Sequence, residues 1–386
     1  MKLPLSKSIN NRLQVLRHLY FPSVELEVSN ANDSQLMQKA LTALSTGNDI
    51  DVEDAGTVAR FTTAVAAITN TYHGTIDGSD RMRQRSISTL VNALNEIGAD
   101  IQYEDSHKSL PIKINGKNLE GGKLVIDHVE SSQFITALML IAPTFKHGLE
   151  IEFKQKPSSF KYIELTANLM LSLGFELQLS EENLIVKPVI PSTKRSLNDK
   201  NEIDWSAAVY PLLISELSPD LKLKTENSIN TSLQGDSAVF AILADIKMQS
   251  ESANSKPIEF DFSAYPDLAQ PFICFCAVNK WAFCFIGLET LPGKETDRLF
   301  AMKTELARMG IESTTTSHSF KIETYPSAFN SDVVFETYQD HRMAMSLFLI
   351  MLKKPAYQLS DCETVKKSFP DFWKELEKLG FEFELA

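Results

Sequence analysis

Four times along the chain, a stretch with helical apolar spacing closes on Leu, Ile or Met, meets a glycine, and passes at once into an alternating strand. The copies run from Leu90 to Gly98, Leu165 to Gly174, Met302 to Gly310 and Phe372 to Gly380. Glycine after the last apolar helical residue is the usual left-handed helix stop, because no Cβ opposes a positive φ. A fifth stretch, Leu36 to Leu44, has the helical pattern without a glycine in that place. After Gly174, residues 175–179 and 184–186 are split by Glu181-Glu-Asn183 and read as a hairpin. The same order follows Gly310, with Ile322 resuming after Thr316-Ser-His318. Helix, glycine and paired strands, repeated, predict an α/β protein made of similar modules. A length of 386 residues favours two domains, since one core does not keep growing to that size. The Pro-, Ser-, Lys- and Asn-rich stretch from Pro188 to Asn201 is the best internal boundary.

Charge narrows the partners. The chain has 38 Lys+Arg against 50 Asp+Glu, a formal net charge of -12. Against that background, five short segments concentrate cations beside small polar residues: 5–12, 80–85, 294–298, 340–343 and 366–370. That pattern suits a pocket for a small polyanion, whereas a nucleic-acid face needs a positive balance over a whole surface. No export signal is visible at the start of the sequence, and the most apolar stretch, 272–287, is interrupted by Asn279 and Lys280. It reads as a buried strand pair. The cytoplasm is the expected location and a monomer the expected state, with neither nucleic acid nor membrane as partner. Cys274, Cys276, Cys284 and Cys362 are too few for a disulfide framework. Cys274 and Cys276 alternate within the apolar run, which would place both on one face of a strand as buried thiols. The seven His residues show no metal-ligand spacing.

Each cationic segment has a chemical and a plain reading. A helix starting near Ser8 would offer its free N–H groups to an anion, with Arg12 on the same face, or Ser8 would simply cap a solvated helix. Before the helical run 58–68, Gly56 would admit a close backbone approach, and Thr57 could cap. Arg81, Arg83 and Arg85 alternate after a turn; they form a solvated edge, or one of them forks onto a carboxylate or phosphate. Ser131, Ser132 and Gln133 open an apolar helix, either as caps or as a neutral phosphate cradle. Asp267 follows a strand and Pro266; near bound anions its proton affinity would rise, which suits a general base. Lys294 and Arg298 stand four apart at the expected start of the helix ending at Gly310, and so would share a face with Glu295 one step around.

In order, these segments resemble those of the EPSP synthase family, the 3-phosphoshikimate 1-carboxyvinyltransferases. The resemblance rests on Leu5-Ser-Lys-Ser-Ile-Asn-Asn-Arg12, Ala55-Gly-Thr-Val-Ala-Arg60, Arg81-Met-Arg-Gln-Arg85, the run 131–143, Pro266-Asp267, Lys294-Glu-Thr-Asp-Arg-Leu299, Asp340-His-Arg-Met-Ala-Met345 and Lys367-Ser-Phe-Pro-Asp-Phe372. It spans nearly the whole chain. It implies transfer of the enolpyruvyl group of phosphoenolpyruvate to the 5-hydroxyl of shikimate 3-phosphate, releasing phosphate, without metal or organic cofactor. It implies two similar domains of repeated βαβαββ units with the active site in the cleft between them. One domain would comprise 1–6 and 203–386, the other 7–202.

By the same resemblance, Lys7, Ser8 and Arg12 lie around the phosphorylated acceptor, with Lys7 also reaching phosphoenolpyruvate. Ser131 and Ser132 meet the acceptor's phosphate, Gln133 lies between the substrates, and Ser159 and Tyr162 complete that pocket. Gly56, Arg85, Arg298, Arg342 and Lys367 fall on the phosphoenolpyruvate side. Asp267 takes the proton from the attacking hydroxyl, Glu295 delivers one to the methylene carbon, and Lys294 touches the acceptor. Thr290, counted as substrate-binding, stands where an asparagine is common. Other departures are Leu5 for a glycine, Asp54 for an asparagine, Ser86 for a proline, and a brief stretch between Leu44 and Asp54. They bear on phosphoenolpyruvate affinity and glyphosate sensitivity. Two alternatives remain open: a UDP-N-acetylglucosamine enolpyruvyl transferase, which generally uses a loop cysteine absent here, and a non-catalytic anion binder, for which Asp267 and Glu295 would serve nothing.

Overall fold

The computed structural model describes residues 1–188, 201–221, 232–252 and 256–382. The chain divides into two units, one formed by Met1–Pro4 with Ile203–Ala386 and the other by Leu5–Glu202. The expected boundary stretch falls largely on residues 189–200, outside the described residues.

The unit of residues 5–202 opens with α1 (Lys7–Tyr20) and α2 (Asn32–Thr46). Two copies of one motif follow: β1 (Ile50–Asp51), α3 (Gly56–Ile68), β2 (His73–Asp77), the single turn α4 (Asp80–Arg83), α5 (Ser88–Glu96), β3 (Asp100–Tyr103) and β4 (Ile112–Asn115); then β5 (Gly122–Ile126), α6 (Ser132–Ile141), β6 (Leu149–Phe153), α7 (Phe160–Ser172), β7 (Leu177–Leu179) and β8 (Asn183–Val186). In each copy a helix links two parallel strands, and a second helix leads to an antiparallel hairpin whose last strand pairs beside the second. The sheet orders, β1-β2-β4-β3 and β5-β6-β8-β7, are the same permutation.

The other unit carries α8 (Trp205–Leu217) and α9 (Val239–Glu251), then a third copy: β9 (Ile258–Asp261), α10 (Ala269–Val278), β10 (Phe283–Ile286), α11 (Arg298–Arg308), β11 (Glu312–Thr315) and β12 (Ser319–Thr324). Its sheet runs β11-β12-β10-β9. A shortened copy closes it: β13 (Val334–Phe335), α12 (His341–Met351), the parallel β14 (Gln358–Leu359) and α13 (Phe372–Glu377). The βαβαββ expectation is met. The four glycines that end the repeated helices take φ of 100°, 89°, 85° and 90° at Gly98, Gly174, Gly310 and Gly380. The fifth stretch has its glycine after all: α2 runs two residues past Leu44, and Gly47 caps it at φ 72°.

Each unit is organised about a helix buried nearly all round. In α6 every residue except Gln133 is buried, and in α10 every residue except Val278. Each large apolar side chain on such a helix contributes roughly 1.5–3 kcal/mol when removed from water. Here the expected strand pair at 272–287 is overturned, since its first part is α10. A run that is apolar on every side carries no periodicity to separate helix from strand. The chain breaks at Asn279–Lys280, where Lys280 takes φ 57°, and only then enters β10. Cys274 and Cys276 are buried as expected, but two apart on a helix they point to different sides. Burial pushes both thiols up, with Cys274 adding to the shift at Cys276.

Candidate active site

In the unit of residues 5–202, side chains tie together the N-terminal ends of α1, α3, α6 and α7. Arg12, one turn into α1 and 3% exposed, donates from Nε to Thr166 Oγ1 (2.7 Å), from Nη1 to Ser8 O (2.5 Å), and from Nη2 to Tyr162 O (3.3 Å) and Thr136 Oγ1 (3.4 Å). Gln133 Nε2 donates to Thr57 Oγ1 at 3.1 Å, joining the first turns of α6 and α3. None of the four first turns carries Asp or Glu. With no acidic side chain there, the positive dipole ends of these helices favour an outside anion. Burial lowers Arg12 to about 10, with Tyr162 opposing; the guanidinium remains charged at neutral pH amid neutral oxygens.

The expected residues take their places with some changes of role. Ser6, not Ser8, accepts the N-terminal hydrogen bond of α1. Ser131 caps α6 by accepting from Gln133 N, and Ser132 is buried behind it. Ser159 precedes α7 in a left-handed conformation (φ 52°) and makes no side-chain cap. Thr57 does not cap α3, whose N-cap is Ala55; its hydroxyl faces Gln133 instead. Among the three arginines, Arg83 is held by Asp77 (2.6 Å) and Asp80 (3.4 Å). Arg85 instead lays its guanidinium on Gly56, where a Cβ would stand 2.8 Å from both of its Nη atoms. Gly56 is glycine because an arginine occupies the space of its side chain. Lys7 is paired with Asp33 of α2 at 3.2 Å. Asp54 does stand near this end of the unit, accepting from Ser79 Oγ.

The second cluster belongs to the other unit. Asp267 lies on the 3-10 turn Pro266–Leu268 leading into α10. Arg298 Nη1 reaches its Oδ1 at 3.1 Å, Arg342 Nη2 its Oδ2 at 3.2 Å, and Lys294 Nζ its Oδ1 at 3.5 Å. Arg298, 1% exposed, also meets Asp340 (2.7 Å) and Glu295 (2.9 Å), and Lys367 meets Glu295 at 3.3 Å. The side chains so joined are four cations (Lys294, Arg298, Arg342, Lys367) and three carboxylates (Asp267, Glu295, Asp340), one cation in excess. Asp340 fixes the array: it caps α12 by accepting from Arg342 N while gripping Arg298. Thr290, in the turn after β10, has a buried hydroxyl without a hydrogen-bond partner.

One expectation fails here. Lys294 and Glu295 do not share a helix face with Arg298, because Asp297 caps α11 by accepting from Leu299 N and Phe300 N, so the helix begins at Arg298. A loop, not a helical spacing, brings them to Asp267. The protein's own cations hold the proton affinity of Asp267 down. Burial pushes it up, but Arg342, Lys294 and Arg298 outweigh burial and hold the carboxyl well below the usual range. Burial lowers Lys294 despite Asp267. Arg298 is raised: burial opposes its charge, and Asp340, Glu295 and Asp267 more than offset that. Sequence reasoning missed Asp33, Thr136, Thr166 and the anchoring role of Asp340, which showed only as the acid beginning a cationic segment.

Among the described residues no group of three or more His, Cys, Asp or Glu could hold a metal ion, and no helix is long and apolar enough to cross a membrane. A family model described as EPSP synthase (3-phosphoshikimate 1-carboxyvinyltransferase) matches residues 1–376. The 3-phosphoshikimate 1-carboxyvinyltransferase of Bacteroides fragilis (strain YCH46) is 36% identical over 405 residues, covering 100% of this chain and 96% of its own. That of Mannheimia haemolytica is 29% identical over 417 residues, covering 98% and 96%. A solved structure of EPSP synthase from Acinetobacter baumannii superposes with a TM-score of 0.71 at 16% identity, over 100% of this chain and 96% of that one. At that identity the likeness speaks for the fold.

Proposed function

The chain belongs to the EPSP synthase family, and from that premise we propose how its residues divide the work of moving the enolpyruvyl group of phosphoenolpyruvate onto shikimate 3-phosphate. Each substrate carries a phosphate and a carboxylate, so holding both requires cations in excess of the protein's own carboxylates. The observation that carries this reading is the array around Asp267 and Glu295, where two potential proton carriers are set among four cations.

Arg298, Arg342 and Lys367 hold the donor's anionic groups, at roughly 1.5–3 kcal/mol for each charged hydrogen bond. Arg85 and the backbone at Gly56 serve the donor as well. Lys7, Ser8, Arg12, Ser131, Ser132, Gln133, Ser159 and Tyr162 hold the acceptor, its phosphate facing the helix ends, and Lys294 and Thr290 meet it near the reacting hydroxyl. Asp267 takes the proton of the 5-hydroxyl as its oxygen bonds to the enol carbon. Protonated Glu295 gives its proton to the methylene, which becomes a methyl. Restoring the double bond as the C–O bond to phosphate breaks requires the methyl to return a proton, and the ionised Glu295 accepts it. Before substrate binds, three cations keep Asp267 a weak base. A donor that draws Arg342 and Arg298 to itself removes that restraint, so the base gains strength only once the donor is present. We take the enzyme to act as a monomer in the cytoplasm, since two small water-soluble anions need neither a second chain nor a membrane; a monomer mass in sedimentation checks the first part.

The reading is tested by phosphate release from phosphoenolpyruvate. Release that requires shikimate 3-phosphate is expected; release driven by UDP-N-acetylglucosamine instead would overturn it. A second expectation concerns Gly56. In Gly56→Ala the new Cβ must displace the Arg85 guanidinium. The KM for phosphoenolpyruvate should rise about tenfold, equivalent to about 1.4 kcal/mol of lost binding, with kcat changed much less. An unchanged KM would remove Arg85 from the donor site.

A further inference from the structure

A buried acid outside the roles above lies on a turn that, like the turn of Asp267, packs against α8. Asp236 lies on the 3-10 turn Gly235–Ala238 and is 4% exposed. Ser206, in the first turn of α8 and 7% exposed, donates its hydroxyl to Asp236 Oδ2. The turn is fastened to the start of α8 by Gln234, which accepts from Trp205 N (3.2 Å) and donates to Ile203 O (2.7 Å). Helix α8 packs against both the turn bearing Asp236 and the turn bearing Asp267. Among the described residues, the charges acting on Asp236 include Asp267, Arg342 of α12, and Asp204, which caps α8. Helix α9, continuing from the turn, carries no charge before Asp245.

We propose that Asp236, held by Ser206, is a positioning residue of the transfer: its ionised carboxylate strengthens Asp267 as the base that takes the acceptor's proton. The proposal rests on Asp267 being that base. Burial first, then Asp267, push Asp236 up to about 6, while Ser206 and Arg342 oppose. Asp267 is therefore already ionised when Asp236 titrates. Above pH 6 the second negative charge repels the first, and repulsion between like charges raises the affinity of Asp267 for a proton. Below pH 6 Asp236 is neutral and that help is gone. The carboxyl also destabilises the fold where it is useful. Its folded pKa lies above the ordinary 3.8, so its contribution is most favourable below that value and is lost as pH rises through about 6. An asparagine would avoid the loss, which gives the acid a reason beyond stability.

The test compares kcat against pH for the unaltered enzyme, Asp236→Asn and Ser206→Ala, with Asp267→Asn in the same series. Titration of the substrates' own phosphates is common to all, so only differences between profiles count. The unaltered enzyme should gain roughly three- to tenfold in kcat through a limb near pH 6 that Asp236→Asn lacks, the size expected of a base strengthened by about one pK unit. Ser206→Ala should move that limb to higher pH, because the hydroxyl favours the ionised form. Melting temperatures supply a reading independent of activity: Asp236→Asn should melt above the unaltered protein at pH 8 and with it at pH 4. A uniformly lowered Asp236→Asn profile that keeps the limb, or a Ser206→Ala limb in the original place, overturns the proposal. Full turnover in Asp267→Asn overturns the underlying reading of the base, while a dead Asp267→Asn beside an Asp236→Asn profile parallel to the unaltered enzyme's overturns only the role of Asp236.

Discussion

Asp267→Asn will lower kcat by about 10²–10⁴-fold, the usual contribution of a positioned proton acceptor, while donor binding is kept or tightened. The direction of the binding effect follows from the resting geometry. Asp267 competes with the donor for Arg342 and Arg298, at 3.2 and 3.1 Å from it, and an amide of the same shape competes less. Steady-state kinetics in both substrates, with donor binding measured by calorimetry, separate the two effects. A kcat within twofold of the unaltered enzyme would end the assignment of Asp267 as base. Glu295→Gln should lose turnover in the same way, because the methylene then lacks its proton source, and retained turnover would end that assignment too.

Arg298→Met should cost about 3–5 kcal/mol of stability, since it strands the fully buried Asp340 and takes one cation each from Asp267 and Glu295. For a unit of this size that corresponds to a fall of roughly 6–20 °C in melting temperature. Arg298→Lys should fall between, retaining the charge but losing the fork that reaches Asp340 and Glu295 at once. Scanning calorimetry at pH 7 checks both, and a Met variant melting within 2 °C or so of the unaltered protein would contradict the account. The pH sense is fixed by Asp267. Its folded pKa is depressed, so its share of the stability is complete above the ordinary carboxylate range and is lost as the solution is acidified through the folded value. The unit bearing Arg298 should therefore soften in acid, and Arg298→Met should be hurt less by acid than the unaltered protein.

What could be read from the residues was whatever one local rule determines. A glycine that must take a positive φ ends a helix wherever it occurs, so the modules at Gly98, Gly174, Gly310 and Gly380 were visible without coordinates. The cationic segments were legible because charge clustered against an acidic background needs a reason. Two kinds of feature were not. Helix α10 is apolar on all sides and so has no period, and its length, not its pattern, separates it from a strand. The relation of Lys294, Glu295 and Arg298 depends on whether Asp297 caps a helix there, and an acid in that place can equally sit inside a first turn. The depressed proton affinity of Asp267 was out of reach for another reason. Its proton affinity is the balance of burial against Arg342, Lys294 and Arg298, of which Arg342 lies 75 positions away in sequence. Asp33 and Asp236 carry no motif at all; only their neighbours in space give them work.

The division of the chain has a consequence for how the protein is made. Everything in the unit of residues 5–202 is synthesised before residue 203 is joined, so that half can fold while translation continues. Its partner cannot. Met1 and Leu3 belong to the apolar core of the later half, where they are 9% and 3% exposed, and Lys2 N donates to Glu375 at 2.7 Å. The amino-terminal backbone must therefore wait for partners in the later half, Pro4 O for Asp204 N and Lys2 N for Glu375, the last synthesised more than 370 residues afterwards. Synthesis stalled midway should release one half already protease-resistant, trailing an amino-terminal stub with nothing yet to hold it.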